Sequence, residues 1–152
     1  MPNNKCRICG SPTKKTGLLY RCQDKQCLGV YWDKSGVKKL FRNDPDALNR
    51  ILEEAKVPAD IKSKKSFFVY ILRLKGENNA VYVGMTGHHP YRRYLNHIRG
   101  YKSSKHTKKR ATALVGFEGP MIYNKAVERE LELGLEYEQK NFIVYGPKKI
   151  ES

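Results

Sequence analysis

The stretch that decides the fold is FFVYILRL (67–74), a turn cluster Gly76-Glu77-Asn78-Asn79, VYVG (81–84) and then PYRRYLNHIRG (90–100). Residues 67–74 are almost all aromatic, β-branched or aliphatic, and the turn formers that follow predict a β-hairpin. A loop of about five residues sets Leu74 against Ala80, Leu72 against Tyr82 and Tyr70 against Gly84. Side chains alternate across a strand, so Tyr70 and Tyr82 leave the same face. Gly84 leaves room beside them for backbone or ligand. On the hairpin alone, ordinary sheet packing is the favoured reading of two tyrosines so placed.

Pro90 at a first helical position and Gly100 at a stop frame a helix over 90–99. Tyr91, Tyr94, Leu95 and Ile98 form its buried stripe. Arg93 and His97, four residues apart, stack on the side facing away from that stripe. A guanidinium beside an imidazole suits a phosphate oxyanion; the alternative is a solvated basic face. Arg92 projects elsewhere.

A second helix is predicted over about 123–139, with Ala126, Val127, Leu133, Gly134 and Tyr137 on one face and Glu130 in the middle of it. Glu128, Glu132 and Glu136 step along the outer side, where carboxylates are merely solvated. A carboxylate inside an apolar stripe is costly unless it is paired or binds a metal. Glu130 therefore reads either as half of a buried salt bridge or as a metal ligand.

Over residues 67–145 the chain resembles the GIY-YIG endonucleases. The first motif stands as Phe68-Val69-Tyr70 and the second as Tyr82-Val83-Gly84. The family's arginine matches Arg93, with His97 four residues on, and its A-x-x-x-E element runs from Ala126 to Glu130. His106 matches a histidine of the phage homing branch, and Asn141 lies near an asparagine that some members carry. The first motif lacks its glycine. Met85 stands where some members place a lysine, so proton removal falls to another group, with His97 expected.

The resemblance implies a small, mainly antiparallel α/β (α+β) sheet flanked by helices, and metal-dependent hydrolysis of phosphodiester bonds. Glu130 would hold Mg²⁺ or Mn²⁺, hard ions suited to carboxylate and phosphate oxygens. Arg93 would clamp a non-bridging oxygen. Tyr82 would orient or deprotonate the attacking water with help from Tyr70 or His97, and positive charge nearby would be needed to lower a phenol of ordinary pKa. DNA is the expected substrate, because the family mostly cuts DNA. A different class of function is a non-catalytic nucleic-acid-binding protein on a degenerate nuclease fold. Glu130 discriminates the two, since a carboxylate would repel phosphates on a mere platform.

Thirty Lys and Arg against fifteen Asp and Glu give the 152 residues a net charge of +15. Six cations (Arg99, Lys102, Lys105, Lys108, Lys109 and Arg110) fall within residues 99–110 without an acid, and His106 lies among them. This run, just after the Arg93 helix, is expected to follow a nucleic-acid backbone; the alternative is a solvated face. No long apolar or lipid-anchor segment is seen, so no membrane partner is expected. Without an apolar signal core at the N-terminus, the expected location is the cytoplasm, on the nucleoid when bound to DNA.

All four cysteines fall in the first 27 residues, as Cys6-x2-Cys9 and Cys22-x4-Cys27 separated by twelve residues. Two close thiol pairs at that separation predict tetrahedral ligation of structural Zn²⁺ in a ribbon. Gly10 would permit the turn that aims backbone amides at the sulfurs, and Leu18-Leu19-Tyr20 reads as a strand. So small a module needs its metal to fold. Lys14, Lys15 and Arg21 point to a nucleic-acid contact, and a purely structural ribbon is the alternative. Asn43 or Asp44 is read as the cap of a short helix beginning at Pro45, with Ala47, Leu48, Ile51, Leu52 and Ala55 as its apolar face. The organisation expected is a zinc ribbon over 1–36, a helix and basic linker over 37–65, and a nuclease-like domain over 66–152.

Overall fold

The structure, a computed structural model, describes residues 5–24, 26–27, 29–76, 79–99 and 110–146. The chain divides into two compact units, Met1–Pro58 and Ala59–Ser152.

In the first unit β1 (Thr13–Thr16), β2 (Leu19–Cys22) and β3 (Val30–Trp32) form an antiparallel meander. It continues into α1 (Lys34–Asn43) and α2 (Leu48–Glu54). Leu19, Trp32, Val37, Ile51 and Ala55 are its most deeply buried side chains. The sequence reading placed one helix from Pro45, and the structure has two. Asp33 opens α1 by accepting the Gly36 N–H at 3.0 Å, a side-chain cap three residues ahead of its donor. Asp44 accepts the Asp46 N–H at 3.0 Å instead, so Pro45 and Asp46 belong to a turn and α2 begins only at Leu48. Ala47, Ile51, Leu52 and Ala55 are buried, as the apolar periodicity requires.

The second unit is a mixed α/β fold of β4 (Phe67–Leu74), β5 (Ala80–Thr86), α3 (Pro90–Arg99), β6 (Ala111–Met121), α4 (Tyr123–Gln139) and β7 (Ile143–Tyr145). Its strands lie in the order β6-β4-β5-β7. β4 runs antiparallel to both neighbours, whereas β7 is parallel to β5. The hairpin register sets Leu74 against Ala80, Leu72 against Tyr82 and Tyr70 against Gly84, as its turn length required. β6 escaped the sequence reading because Gly116, Gly119 and Pro120 interrupt its alternation, and its pairing to β4 shifts register three times.

Period-two alternation splits the hairpin between two layers. Val69, Ile71, Val81 and Val83 pack with Ala126 and Leu133 of α4 in one apolar cluster. Met85 joins that layer, the face opposite Tyr82. Tyr70 and Tyr82 leave from the other face and meet His97 of α3. Glu132 and Glu136, expected to be merely solvated, close on Arg129 at 3.1 and 2.9 Å, and Glu118 of β6 joins them at 2.8 Å. Among the described residues no helix is long and apolar enough to cross a membrane.

Candidate active site

Gly84 is where the hairpin becomes a site. A Cβ there would lie 2.5 Å from the Tyr70 hydroxyl oxygen and 2.7 Å from Tyr82 Cε1, so both rings close over bare backbone. Tyr70 is almost wholly buried and Tyr82 half-buried, with ring centroids 6.2 Å apart. His97 approaches both rings, at 5.8 Å from Tyr70 and 5.7 Å from Tyr82. Its Nε2 lies 2.8 Å from the Tyr70 hydroxyl.

His97 is therefore not on an exposed face, as the sequence reading had it; it is fully buried beside Tyr94, Leu95, Asn96 and Ile98. The stripe reading counted only apolar residues. The Tyr70 hydroxyl supplies the polar partner that lets an imidazole enter the layer. Burial, and then the positive charge of Arg93, push the His97 pKa down to about 3. The ring is neutral at physiological pH and supplies none of the positive charge that lowering a phenol would need.

Burial drives the Tyr70 phenol far above the ordinary tyrosine value; Tyr82 and Glu130 add to this, and Arg93 opposes it by charge and hydrogen bond. A guanidinium can only donate, so the Tyr70 hydrogen is free to go to His97 Nε2, an un-ionised acceptor. Burial raises Tyr82 as well, against Arg93, while Glu130 pushes it further up. Arg93 itself is half-buried, next to both phenols.

Glu130 is half-buried in α4 between Ala126 and Leu133. Among the described residues it makes no ion pair, and burial alone raises its carboxyl. Its charge is nonetheless felt at both phenols. A desolvated carboxylate whose charge reaches two phenols fits a hard divalent ion that keeps most of its ligands as water and phosphate. No cluster of three or more acidic or histidine ligands exists there among the described residues. The donor set therefore suits an ion completed by substrate.

Of the basic run, Lys102, Lys105, His106, Lys108 and Lys109 lie outside the described residues. Arg99 donates to Asn96 Oδ1 at 3.3 Å. Arg110 donates to the Lys75 carbonyl at 3.0 Å and lies 5.2 Å from the Tyr145 ring centroid. Asn141 is exposed with φ 68°, and its N–H reaches the Glu138 carbonyl at 3.0 Å. It ends α4 in the left-handed conformation that asparagine tolerates.

In the first unit the Sγ atoms of Cys6, Cys9, Cys22 and Cys27 all lie within 4.8 Å of one another. Cys6 and Cys27 are 3.8 Å apart, and Cys9 and Cys22 are 3.5 Å apart. A tetrahedron of Zn–S bonds of about 2.3 Å has edges of about 3.8 Å, so the spacing of the thiols is compatible with a zinc ion. The Ile8 and Asp24 N–H groups each point at a sulfur from 3.4 Å, and Gly10 takes φ +77° in the first loop. Lys15 is drawn to Asp33 at 3.3 Å, and Arg21 donates to the Ala55 carbonyl at 3.0 Å. Both make internal contacts.

Two features were missed in the sequence. Asp60, within the stretch expected to be helix and linker, accepts the His89 N–H at 3.0 Å and receives His88 Nδ1 at 2.6 Å, which ties down the loop that enters α3. Phe117, on the unpredicted β6, stands opposite Tyr70. Neither carries a local signal, because each acts through a distant partner.

The family model for the GIY-YIG catalytic domain matches residues 66–142, 77 of the 152 residues. No curated protein and no solved structure matches the chain.

Proposed function

The chain belongs to the GIY-YIG catalytic-domain family, and from that premise we propose a metal-dependent endonuclease that hydrolyses DNA phosphodiester bonds, with a zinc ribbon assisting substrate binding. The observation that carries this is Glu130: a half-buried carboxylate with no ion pair among the described residues, felt by two phenols beside a guanidinium. Folding leaves such a group unpaired at a cost that an ion and a phosphate would offset.

When bound at Glu130, Mg²⁺ or Mn²⁺ supplies positive charge against the charge that builds on the phosphate and the leaving oxygen. Arg93 grips a non-bridging oxygen and strengthens its hold as that charge grows. Tyr82, protonated and half-buried, orients the attacking water rather than removing its proton outright. Tyr70 and His97 hold that phenol in place: the Tyr70–His97 hydrogen bond fixes one ring, and the space above Gly84 fixes the other.

Plasmid DNA with Mg²⁺ tests the assignment. Glu130→Ala and Arg93→Ala should each lower the cleavage rate by about a hundredfold or more while the fold is kept. Equal cutting by all three proteins would refute the site. Binding without cutting by all three, on any substrate, would instead support a non-catalytic platform.

A further inference from the structure

One aromatic group on the Tyr70 face of the sheet has no part in the chemistry above. β6 brings Phe117 directly opposite Tyr70, and Phe117 keeps 39% of its surface exposed although Phe68 and Tyr70 beside it are buried. Around it stand Phe68 at 6.0 Å, His89 at 5.7 Å and Tyr91 at 5.8 Å between ring centroids, inclined at 68°, 64° and 85°. Edge-on neighbours support a ring without stacking on it.

Hydrogen bonds anchor two members of the group. His89 Nδ1 accepts the Tyr91 N–H at 3.2 Å, and the His89 N–H is anchored on Asp60 at 3.0 Å. Tyr91 is two residues before Arg93 in the first turn of α3, so the platform and the phosphate-gripping guanidinium share one short element. Phe117 stands one strand beyond Tyr70 and two beyond Tyr82, which lies two residues farther along β5 than the position level with Phe117; the usual strand spacing and rise put the two backbone positions about 12 Å apart. That is the scale of a nucleotide neighbouring the scissile phosphate.

We infer that the platform of Phe117, Tyr91 and His89 stacks an unpaired nucleobase of the strand being cut, and that the substrate is therefore nucleic acid with an unstacked nucleotide next to the cleavage point. This rests on the reading of the neighbouring site as a phosphodiesterase. A continuous duplex presents base edges in its grooves and no base face, so a ring platform has nothing to stack upon there. A single strand, a flap or a frayed end presents the face, and every base has one. The overall charge of +15 supplies attraction for the backbone without base preference.

The test uses the full zinc-loaded chain and oligonucleotides carrying 2-aminopurine, single-stranded and duplex, in deoxy and ribo forms. Fluorescence is read without added Mg²⁺ or Mn²⁺, so that no cleavage is needed. The wild type should quench the single-stranded probe and leave the duplex unchanged, the deoxy and ribo arms telling which polymer is held. Phe117→Leu keeps an apolar side chain but should lose the quench and bind about tenfold more weakly. Phe117→Trp should restore both. With Mg²⁺ added, the ratio of single-strand to duplex cleavage should fall in the leucine variant and recover in the tryptophan variant. Equal quenching by wild type and Phe117→Leu, or no quenching by the wild type, overturns the proposal. Loss of quench with cleavage intact, or the reverse, separates this platform from the catalytic assignment.

Discussion

His97 shows how burial decides the charge of a single residue. In the unfolded chain it would titrate near its ordinary 6.5, whereas in the fold it takes a proton only near 3. Between those values the unfolded chain binds a proton that the native chain does not. Stability attributable to this group is complete above about pH 6.5 and is lost as the pH falls toward about 3. Thermal unfolding followed from pH 7 to pH 4 should therefore show a steeper acid loss for the wild type than for His97→Gln. Parallel curves would mean that the imidazole is not buried neutral. Glu130 has the opposite sign: its carboxyl value is raised, so the fold holds that proton to higher pH than the unfolded chain does. Glu130→Gln should make the acid loss steeper, an effect separable from its effect on cleavage.

At the scale of elements, the hairpin and α3 are joined by close approach and by a carboxylate. Gly84→Ala would drive a methyl group into the Tyr70 hydroxyl and the Tyr82 ring, both under 3 Å from the new carbon. Overpacking of this kind costs about 1–3 kcal/mol, and the displaced phenols should lower cleavage more than binding. Unchanged activity in Gly84→Ala would show that the rings need not share that space. Asp60 is held below the ordinary carboxylate range: burial opposes this, but His88, the His89 N–H and Arg92 outweigh it. Asp60→Ala should loosen the segment between β5 and α3, seen as faster amide exchange at 87–89, and reduce kcat more than it raises KM. Protected amides there would leave Asp60 without a positioning role. The Arg129 knot is different: its three glutamates are 43–60% exposed, so it should contribute only about 0–1 kcal/mol per pair and fade with salt.

At the scale of the whole molecule, two units rest on two kinds of cohesion. The second has an apolar cluster around Val69, Val81 and Val83 and holds none of the four cysteines, whereas the first closes around the Cys6, Cys9, Cys22 and Cys27 thiols. The chain's single tryptophan, Trp32, lies in β3 of the first unit and is fully buried. Elemental analysis should find one zinc per chain. A chelator or Cys22→Ser should shift Trp32 emission to the red while leaving the second unit's helical signal. Emission that ignores the chelator would show that the thiols hold no structural ion.

Local grammar was sufficient for much of this protein. The turn length fixed the hairpin register, Pro90 and Gly100 framed α3, apolar periodicity bounded α4, and cysteine spacing brought four thiols together. These are short-range properties, set by steric preference within a few residues of each position or by pairs joined through one hairpin. The charge of His97, the clasp of Asp60 and the exposure of Phe117 were settled only in three dimensions. Each depends on a partner 27 to 47 residues away (Tyr70, His89 and Tyr70 respectively), brought near by strand order and helix packing. Burial and hydrogen-bond partnership are properties of the assembled layers, and a pattern read along one element carries no information about the other.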